Sequence, residues 1–216
     1  MIDRMLQSIG KAFPMTELAC GEYAKQKVSG MHFTIRRFYA EGLGSVSSMV
    51  ASGFFGLMKM DTLIITPTEK DMPLFSYDRV HAMGNDTLIF ELYDTLLGET
   101  DLSALHAVKD QAAQLPEHDL GAHWYDSIKL PVSLSKKGKK AQTPAFNNCT
   151  MQYLEAFLAV SKNAVPCEAA PKREKASVYV EGLLTNGGPS TDVFKKGIGD
   201  EKTAQLFRKI LFATQV

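Results

Sequence analysis

Residues 61–95 read DTLIITPTEKDMPLFSYDRVHAMGNDTLIFELYDT, and this stretch decides the fold. It contains three apolar segments of strand length, DTLIITP, LFSYDRVHA and DTLIFELYDT, separated by polar or glycine-containing turns. Pro67 closes the first segment, and Gly84 followed by Asn85 and Asp86 supplies a turn between the second and the third. Because strands that follow one another through short turns pair antiparallel, the stretch predicts neighbouring strands of an antiparallel sheet.

The chain before this stretch indicates a helix and then further strands. The first thirty residues favour a short helix, a turn at Pro14 and a short amphipathic piece over residues 17–27. Residues 32–41, HFTIRRFYAE, alternate apolar and polar side chains as a half-buried strand does. The nearly uncharged stretch over residues 45–60 predicts one or two more strands.

The chain after this stretch has a helical character. Apolar residues recur at helical spacing and helix-ending residues follow them, which predicts helices over 101–115, 146–164 and 172–184, and two short ones near the C-terminus. Residues 117–145, which include the run KKGKK, are expected to form a long loop. Strands first and helices later predict an α+β fold with a mainly antiparallel sheet and helices packed on it.

Composition limits the class of protein. The 216 residues carry 24 basic and 24 acidic side chains, and 45% are hydrophobic, which predicts one globular domain over residues 1–216. A general nucleic-acid binder needs a large excess of positive charge, so no nucleic-acid partner is expected. No apolar run approaches the roughly 20 residues that span a membrane, and the N-terminus does not resemble a signal peptide. We therefore expect a cytoplasmic protein with no membrane partner.

The generic motifs of chemistry are missing. The sequence has no Cys-x-x-Cys pair, so Cys20, Cys149 and Cys167 are interpreted as inert thiols. It has no phosphate-binding glycine loop and no nucleophile elbow. His118 and His123 have the spacing of no ordinary metal site, and no metal is expected.

Asp78 is the residue that pattern alone singles out. It lies between Tyr77 and Arg79 in a short strand whose neighbours are apolar. Its carboxylate is either outward-facing and solvated or held in a pocket, and pattern alone leaves both possibilities open. In a pocket, desolvation would raise its pKa and make it a proton donor.

The segment Pro73-Leu74-Phe75-Ser76-Tyr77-Asp78-Arg79-Val80, with the strands around it, resembles the ferredoxin-dependent bilin reductases. The C-terminal stretch YVEGLLTNGGPSTDVFKKGIGDEKTAQLFRKILF, residues 179–212, is similar to the closing helices of that family. The resemblance covers about residues 31–213. It implies a three-layer α/β/α sandwich that binds a linear tetrapyrrole (bilin) between the sheet and the C-terminal helices.

The resemblance also implies a chemistry without a tightly bound cofactor. Electrons would come from reduced ferredoxin, and the protein would supply protons to a substrate radical. The family's central proton-donating aspartate falls on Asp78. The substrate-binding residues are expected to be Arg36, Arg37, Thr62, Phe75 and His81, with one arginine of the pair meeting the propionates. If Arg37 shares a face with Phe33 and Ile35, Arg36 points to the other face, and the sequence does not decide which face is buried.

Three residues of the family pattern, a histidine, a glutamate and a second aspartate, have no counterpart in this sequence. Thr62 stands where some members have a histidine, and residues 47–53 offer no counterpart to a glutamate. Asn186-Gly187-Gly188-Pro189 replaces a turn that carries a second aspartate, and the nearby Asp192 is not assigned that role. These losses favour a simpler two-electron reduction, or a tetrapyrrole or planar-ligand binding protein without turnover. A third hypothesis is an unrelated α+β structural or interaction protein.

The predicted electron donor needs a basic docking surface. Two groups of basic residues could attract an acidic ferredoxin at long range. These are the run Lys136–Lys140, and Lys172 with Arg173 and Lys175.

Overall fold

The computed structural model describes residues 1–215 and contains one antiparallel sheet of eight strands. The strands are β1 (Met15–Leu18), β2 (Lys25–Val28), β3 (Met31–Ala40), β4 (Gly44–Gly53), β5 (Met58–Pro67), β6 (Leu74–Ala82), β7 (Asn85–Tyr93) and β8 (Leu134–Lys139). Their order across the sheet is β1-β3-β4-β5-β6-β7-β8, and β2 also pairs with β3. From β3 to β7 each strand therefore pairs with the next one along the chain, as short turns require.

Helices cover both faces of this sheet. The helices are α1 (Ile2–Ala12), α2 (Ser103–Gln111), α3 (Thr143–Asn163), α4 (Ala169–Asn186), α5 (Pro189–Ile198) and α6 (Asp200–Gln205). A π-helical segment, Leu206–Leu211, continues α6. The first three helices pack on one face, and α4, α5, α6 and the π-helical segment pack on the other, which we call the cavity face. The predicted α+β class and three-layer α/β/α sandwich are confirmed.

The alternation of side chains along β6 separates the two cores. Phe75 and Tyr77 join the core under α3, whereas Leu74 belongs to the core under the C-terminal helices. Because successive side chains of a strand point to opposite faces, Ser76 and Asp78 share the cavity face with Leu74. The position of Asp78 is thus set by the register of one strand.

Two segments differ from the sequence-based expectation. Residues 17–27 form the end of β1, a short 3₁₀ turn and most of β2. The expected loop over residues 117–145 is interrupted by β8, which pairs with β7 and contains most of the KKGKK run. The residues of β8 are mostly polar and basic, so no alternation of apolar side chains predicts a strand there. The strand forms because β7 supplies its hydrogen-bond partners.

Two lysines that were expected on a docking surface are buried instead. Lys136 in β8 is 2% exposed and pairs with Glu117. Lys172 in α4 is 1% exposed, and its Nζ donates hydrogen bonds to the carbonyl oxygens of Met72 at 2.7 Å and Thr95 at 2.6 Å. The docking role is corrected for both, because a buried and paired ammonium group is not available to a partner.

No helix within residues 1–215 is long and apolar enough to cross a membrane.

Candidate functional site

A cavity of about 210 Å³ lies between the cavity face of the sheet and the C-terminal helices. The central strands β4 to β7 form its floor. Its other walls are Leu120, His123 and Tyr125 of the loop before β8, the turn from α4 to α5, and the π-helical segment with Phe212. Most of the lining is apolar. A polar side chain here is therefore kept away from bulk water, which is how ligand sites usually raise the reactivity of a few polar groups.

Asp78 lies on the floor of this cavity with two hydroxyl groups beside it. Thr62 lies opposite Asp78 on the neighbouring strand β5, and its Oγ1 donates a hydrogen bond to Asp78 Oδ1 at 2.5 Å. The Oγ of Ser76, two residues earlier on the same strand and face, is 3.4 Å from Asp78 Oδ2. The carboxylate is half-buried because only the cavity lies over it.

Burial raises the pKa of Asp78 to about 6. Desolvation is the largest cause, and the negative charge of Glu91 adds to it. The hydrogen bonds from Thr62 and Ser76 act in the opposite direction, because they stabilise the carboxylate. At neutral pH Asp78 can therefore exchange a proton readily, as a group with a pKa close to the working pH does.

Glu91 is a second acid of the cavity, and sequence reasoning did not assign it. It is 9% exposed, and its Oε2 accepts a hydrogen bond from the hydroxyl of Tyr93 at 2.6 Å. The hydroxyl of Tyr179 in α4 donates in turn to that of Tyr93 at 2.8 Å. Glu91 Oε1 has no hydrogen-bond partner and lies 3.7 Å from Lys129 Nζ. The cavity therefore offers an unused acceptor to a ligand.

The sequence contained enough information to place Glu91 in the cavity. Glu91 pairs with Ser76 across β6 and β7, and Ser76 shares a face with Asp78. Once Asp78 is placed on the cavity face, the hairpin register places Glu91 there too. Tyr125, Tyr179 and Thr191, in contrast, come from a loop and two helices whose packing no local pattern specifies.

Of the predicted site residues, the structure brings Asp78 and Thr62 together in the cavity. Phe75 and His81 lie on the opposite face of β6. Phe75 packs against Phe157 with a ring distance of 4.8 Å, and His81 Nδ1 lies 3.3 Å from Asp86 Oδ1. The expectation that Phe75 and His81 contact the ligand is corrected, because both differ from Asp78 by an odd number of residues in a strand.

The arginine pair is divided between the two faces. Arg36 lies on the α1 side, where its guanidinium binds Glu17 through two hydrogen bonds of 2.9 Å and stacks on Phe38. This corrects the expectation that Arg36 binds substrate. Arg37 is on the cavity face, opposite Ser47 of β4, but it does not line the cavity. Among residues 1–215, no lysine or arginine lines the cavity.

The cysteines do not line the cavity, and His123 is the one histidine of residues 1–215 that does. Burial raises the pKa of Cys20, Cys149 and Cys167, so little thiolate forms at neutral pH. His123 lines the cavity and stacks on Tyr125 with a ring distance of 4.8 Å. Within the described part of the chain, no three side chains of histidine, cysteine, aspartate or glutamate are grouped so that they could hold a metal ion.

The fold and the cavity define an α/β/α sandwich protein with a cavity between its sheet and its C-terminal helices. The same fold occurs in the crystal structure of phytochromobilin synthase from tomato in complex with biliverdin, with a TM-score of 0.81. The alignment covers 99% of this chain and 82% of that chain, at 14% sequence identity. The predicted resemblance to the bilin reductases is thereby confirmed at the level of the fold.

No family model matches the sequence, and a search of curated proteins found no match.

Proposed function

We propose that this protein binds a linear tetrapyrrole in the cavity and reduces it with electrons from ferredoxin, with Asp78 as the proton donor. The observation that carries the proposal is a carboxyl group with a pKa of about 6 on the floor of an apolar cavity. Support comes from the fold that the chain shares with phytochromobilin synthase, which was crystallised with biliverdin.

The proposed reaction adds two electrons and two protons to one double bond of the tetrapyrrole. Ferredoxin supplies the electrons one at a time, and each reduced form of the substrate takes up a proton. Asp78 gives a proton from its carboxyl group to the substrate and recovers one from solvent afterwards. Thr62 and Ser76 hold the carboxylate in place between these steps. No tightly bound cofactor is needed, because the substrate itself accepts the electrons.

The cavity must widen to admit this ligand. Its volume of about 210 Å³ lies below the roughly 300–1,000 Å³ of common small-molecule pockets. Residues 120–125 and the turn between α4 and α5 are walls outside the sheet, and we expect the cavity to widen there.

A binding protein without turnover is the second candidate function. The observation in its favour is Thr62, which stands where some bilin reductases have a histidine beside the aspartate. A Thr–Asp pair offers one titrating group where a His–Asp pair offers two.

One titration separates these candidates. Purified protein is mixed with biliverdin, and its absorbance is followed before and after adding ferredoxin with a reducing system. A shift on mixing and a second change on reduction support the proposed reductase. A shift without any electron-dependent change selects the binding protein, and no shift on mixing overturns both.

The cytoplasmic location stays a prediction.

The rate of reduction should fall as pH rises above about 6. Only protonated Asp78 can donate, and its pKa is about 6, so each further pH unit should cost close to tenfold in rate. Thr62→Val should move this fall to higher pH, because the Thr62 hydrogen bond lowers the pKa of the carboxyl. Single-turnover rates between pH 5 and 8 test both statements. A flat profile in the wild type would remove Asp78 from the proton transfer.

Ferredoxin is expected to dock on the basic residues that remain exposed near the β8 edge. Replacing Lys137, Lys139 and Lys140 by glutamate should raise the KM for ferredoxin about tenfold at low salt, because long-range attraction to an acidic partner is lost. Steady-state kinetics at several salt concentrations measure this effect. The same reversal of Lys25 and Lys27, which lie in β2 at the opposite edge of the sheet, is the control. Equal effects of both sets would contradict docking at β8.

A further inference from the structure

The cavity has acceptors for a ligand on one side, and they cannot bind a carboxylate. Asp78 and Glu91 both lie on its floor, and Glu91 Oε1 accepts no hydrogen bond, although Lys129 Nζ lies 3.7 Å from it. A ligand carboxylate placed there would meet like charges. No arginine or lysine of residues 1–215 lines the cavity, so the usual partners of a propionate are missing from its walls. Any acidic group of the ligand must find other donors.

The N-terminus of α5 supplies such donors. Residues 188–191 line the cavity opposite the sheet, and α5 is a regular helix of 10 residues. The amide of Asp192 is the first of the helix to bond within it, to the carbonyl of Gly188 at 2.9 Å. The amides of Ser190 and Thr191 precede it and have no intrahelical acceptor, and Pro189 has no N–H. The helix dipole adds partial positive charge at this end.

The hydroxyl of Thr191 is a second, independent indication of a ligand. Thr191 is 1% exposed and lines the cavity, yet its Oγ1 has no hydrogen-bond partner. A buried hydroxyl without a partner destabilises a protein, so buried polar groups are almost always bonded. The hydroxyl and the two amides are adjacent in the chain, and both residues that carry them line the cavity. An anionic acceptor bound there would satisfy all three.

Asp192 does not occupy this position. Its side chain is exposed and lies against Gly187, and it is not part of the cavity lining. Its charge stabilises the first turn of α5 from the outside. Within residues 187–198, no acidic side chain lines the cavity.

We propose that the N-terminus of α5, through the amides of Ser190 and Thr191 and the hydroxyl of Thr191, is a carboxylate-binding subsite. It takes one propionate group of the ligand, while the carboxylates of the floor accept hydrogen bonds from N–H groups of the same ligand. The identity of the ligand rests on the proposed function. The subsite gives the cavity two chemically different ends, and these set the orientation in which a linear tetrapyrrole enters.

The test compares biliverdin with biliverdin dimethyl ester, in which both propionates are neutral. The wild type should bind biliverdin about tenfold more tightly than the ester, since a hydrogen bond to a charged group is lost with the charge. Thr191→Val keeps both amides but loses the hydroxyl, so it should lower this ratio to about threefold by weakening biliverdin binding alone. Its thermal midpoint should stay level or rise, because valine removes an unbonded buried hydroxyl at nearly constant volume. Ser190→Ala keeps both amides and should retain most of the ratio.

Thr203→Val is the matched control. Thr203 is equally buried, but its hydroxyl donates to the carbonyl of Gly199 at 2.7 Å and it does not line the cavity. This variant should lose stability and keep the preference for biliverdin. Equal affinities of the wild type for acid and ester would overturn the subsite while leaving the tetrapyrrole site intact. Failure of both compounds to bind would instead overturn the proposed function.

Discussion

Asp78→Asn is expected to slow the reduction of biliverdin by a hundredfold or more and to leave its dissociation constant within about threefold. Asparagine keeps the shape of the side chain and can still accept the hydrogen bond from Thr62, but it has no acidic proton to give. The contribution of a positioned general acid is typically 10²–10⁴-fold, which sets the size of the effect. Binding by absorbance titration and single-turnover rates with reduced ferredoxin measure the two quantities separately.

Asp61→Asn is the matched control for this variant. Asp61 precedes Thr62 on β5, so it points to the other face of the sheet, where it lies 3.8 Å from the N-terminal amine of Met1. It carries the same charge as Asp78, and its pair with Arg79 is adjacent to the pair of Thr62 and Asp78 between β5 and β6. Its replacement should leave the rate near that of the wild type. If both variants react equally fast, Asp78 is not the donor, and if Asp78→Asn fails to bind biliverdin, its role is structural.

Asp86→Ala is expected to lower the free energy of unfolding by about 3–5 kcal/mol, the cost of breaking a buried ion pair. Asp86 and Arg79 are each 1% exposed, and Arg79 Nη2 donates to Asp86 Oδ2 at 2.6 Å. Thr143 at the start of α3 donates to the same oxygen at 2.6 Å. The alanine variant would leave the guanidinium of Arg79 buried without its counter-ion. Urea denaturation measures the loss.

Acid should weaken the same pair in the wild type. Burial would raise the pKa of Asp86, but the hydrogen bonds from Arg79 and Thr143 outweigh burial and hold it below the usual value. A group with a lowered pKa stabilises the fold above its unfolded pKa, and this stabilisation is lost as pH falls through the folded pKa.

The control for Asp86→Ala is the exposed pair of Arg36 and Glu17, and Glu17→Ala should leave the urea midpoint near that of the wild type. Equal losses in both variants would contradict the assignment.

The hairpins were predictable because their signal is local. Apolar runs and turn residues between 61 and 95 specify β5, β6 and β7 with the observed order, and the apolar periodicity of residues 146–164 specifies α3. The strand β8 was missed because its six residues are polar and basic, and only pairing with β7 makes them a strand. The burial of Lys136 and Lys172 was missed for a similar reason, since their partners lie 19 or more residues away in the chain.

The site was predictable only in part. Asp78 and Thr62 lie in neighbouring strands, so their proximity follows from one register. Phe75 and His81 were expected to bind substrate, but each lies an odd number of residues from Asp78, so alternation turns both away from the cavity. The choice between Arg36 and Arg37 stayed open because alternation leaves the two faces of a strand equivalent until other elements cover them.

The sequence by itself determined the antiparallel pairing of neighbouring strands over residues 61–95, the α+β class and Asp78 as the candidate acid. Only the tertiary structure decided which face of the sheet holds the cavity, because that depends on where α4, α5 and the π-helical segment pack. It also brought Glu91, Tyr179 and Thr191 to the same space as Asp78. The physical reason is the separation along the chain over which each kind of interaction acts. Strand pairing and periodicity act between near neighbours in the chain, whereas the pKa of Asp78 and the donors at α5 depend on desolvation by elements about a hundred residues away.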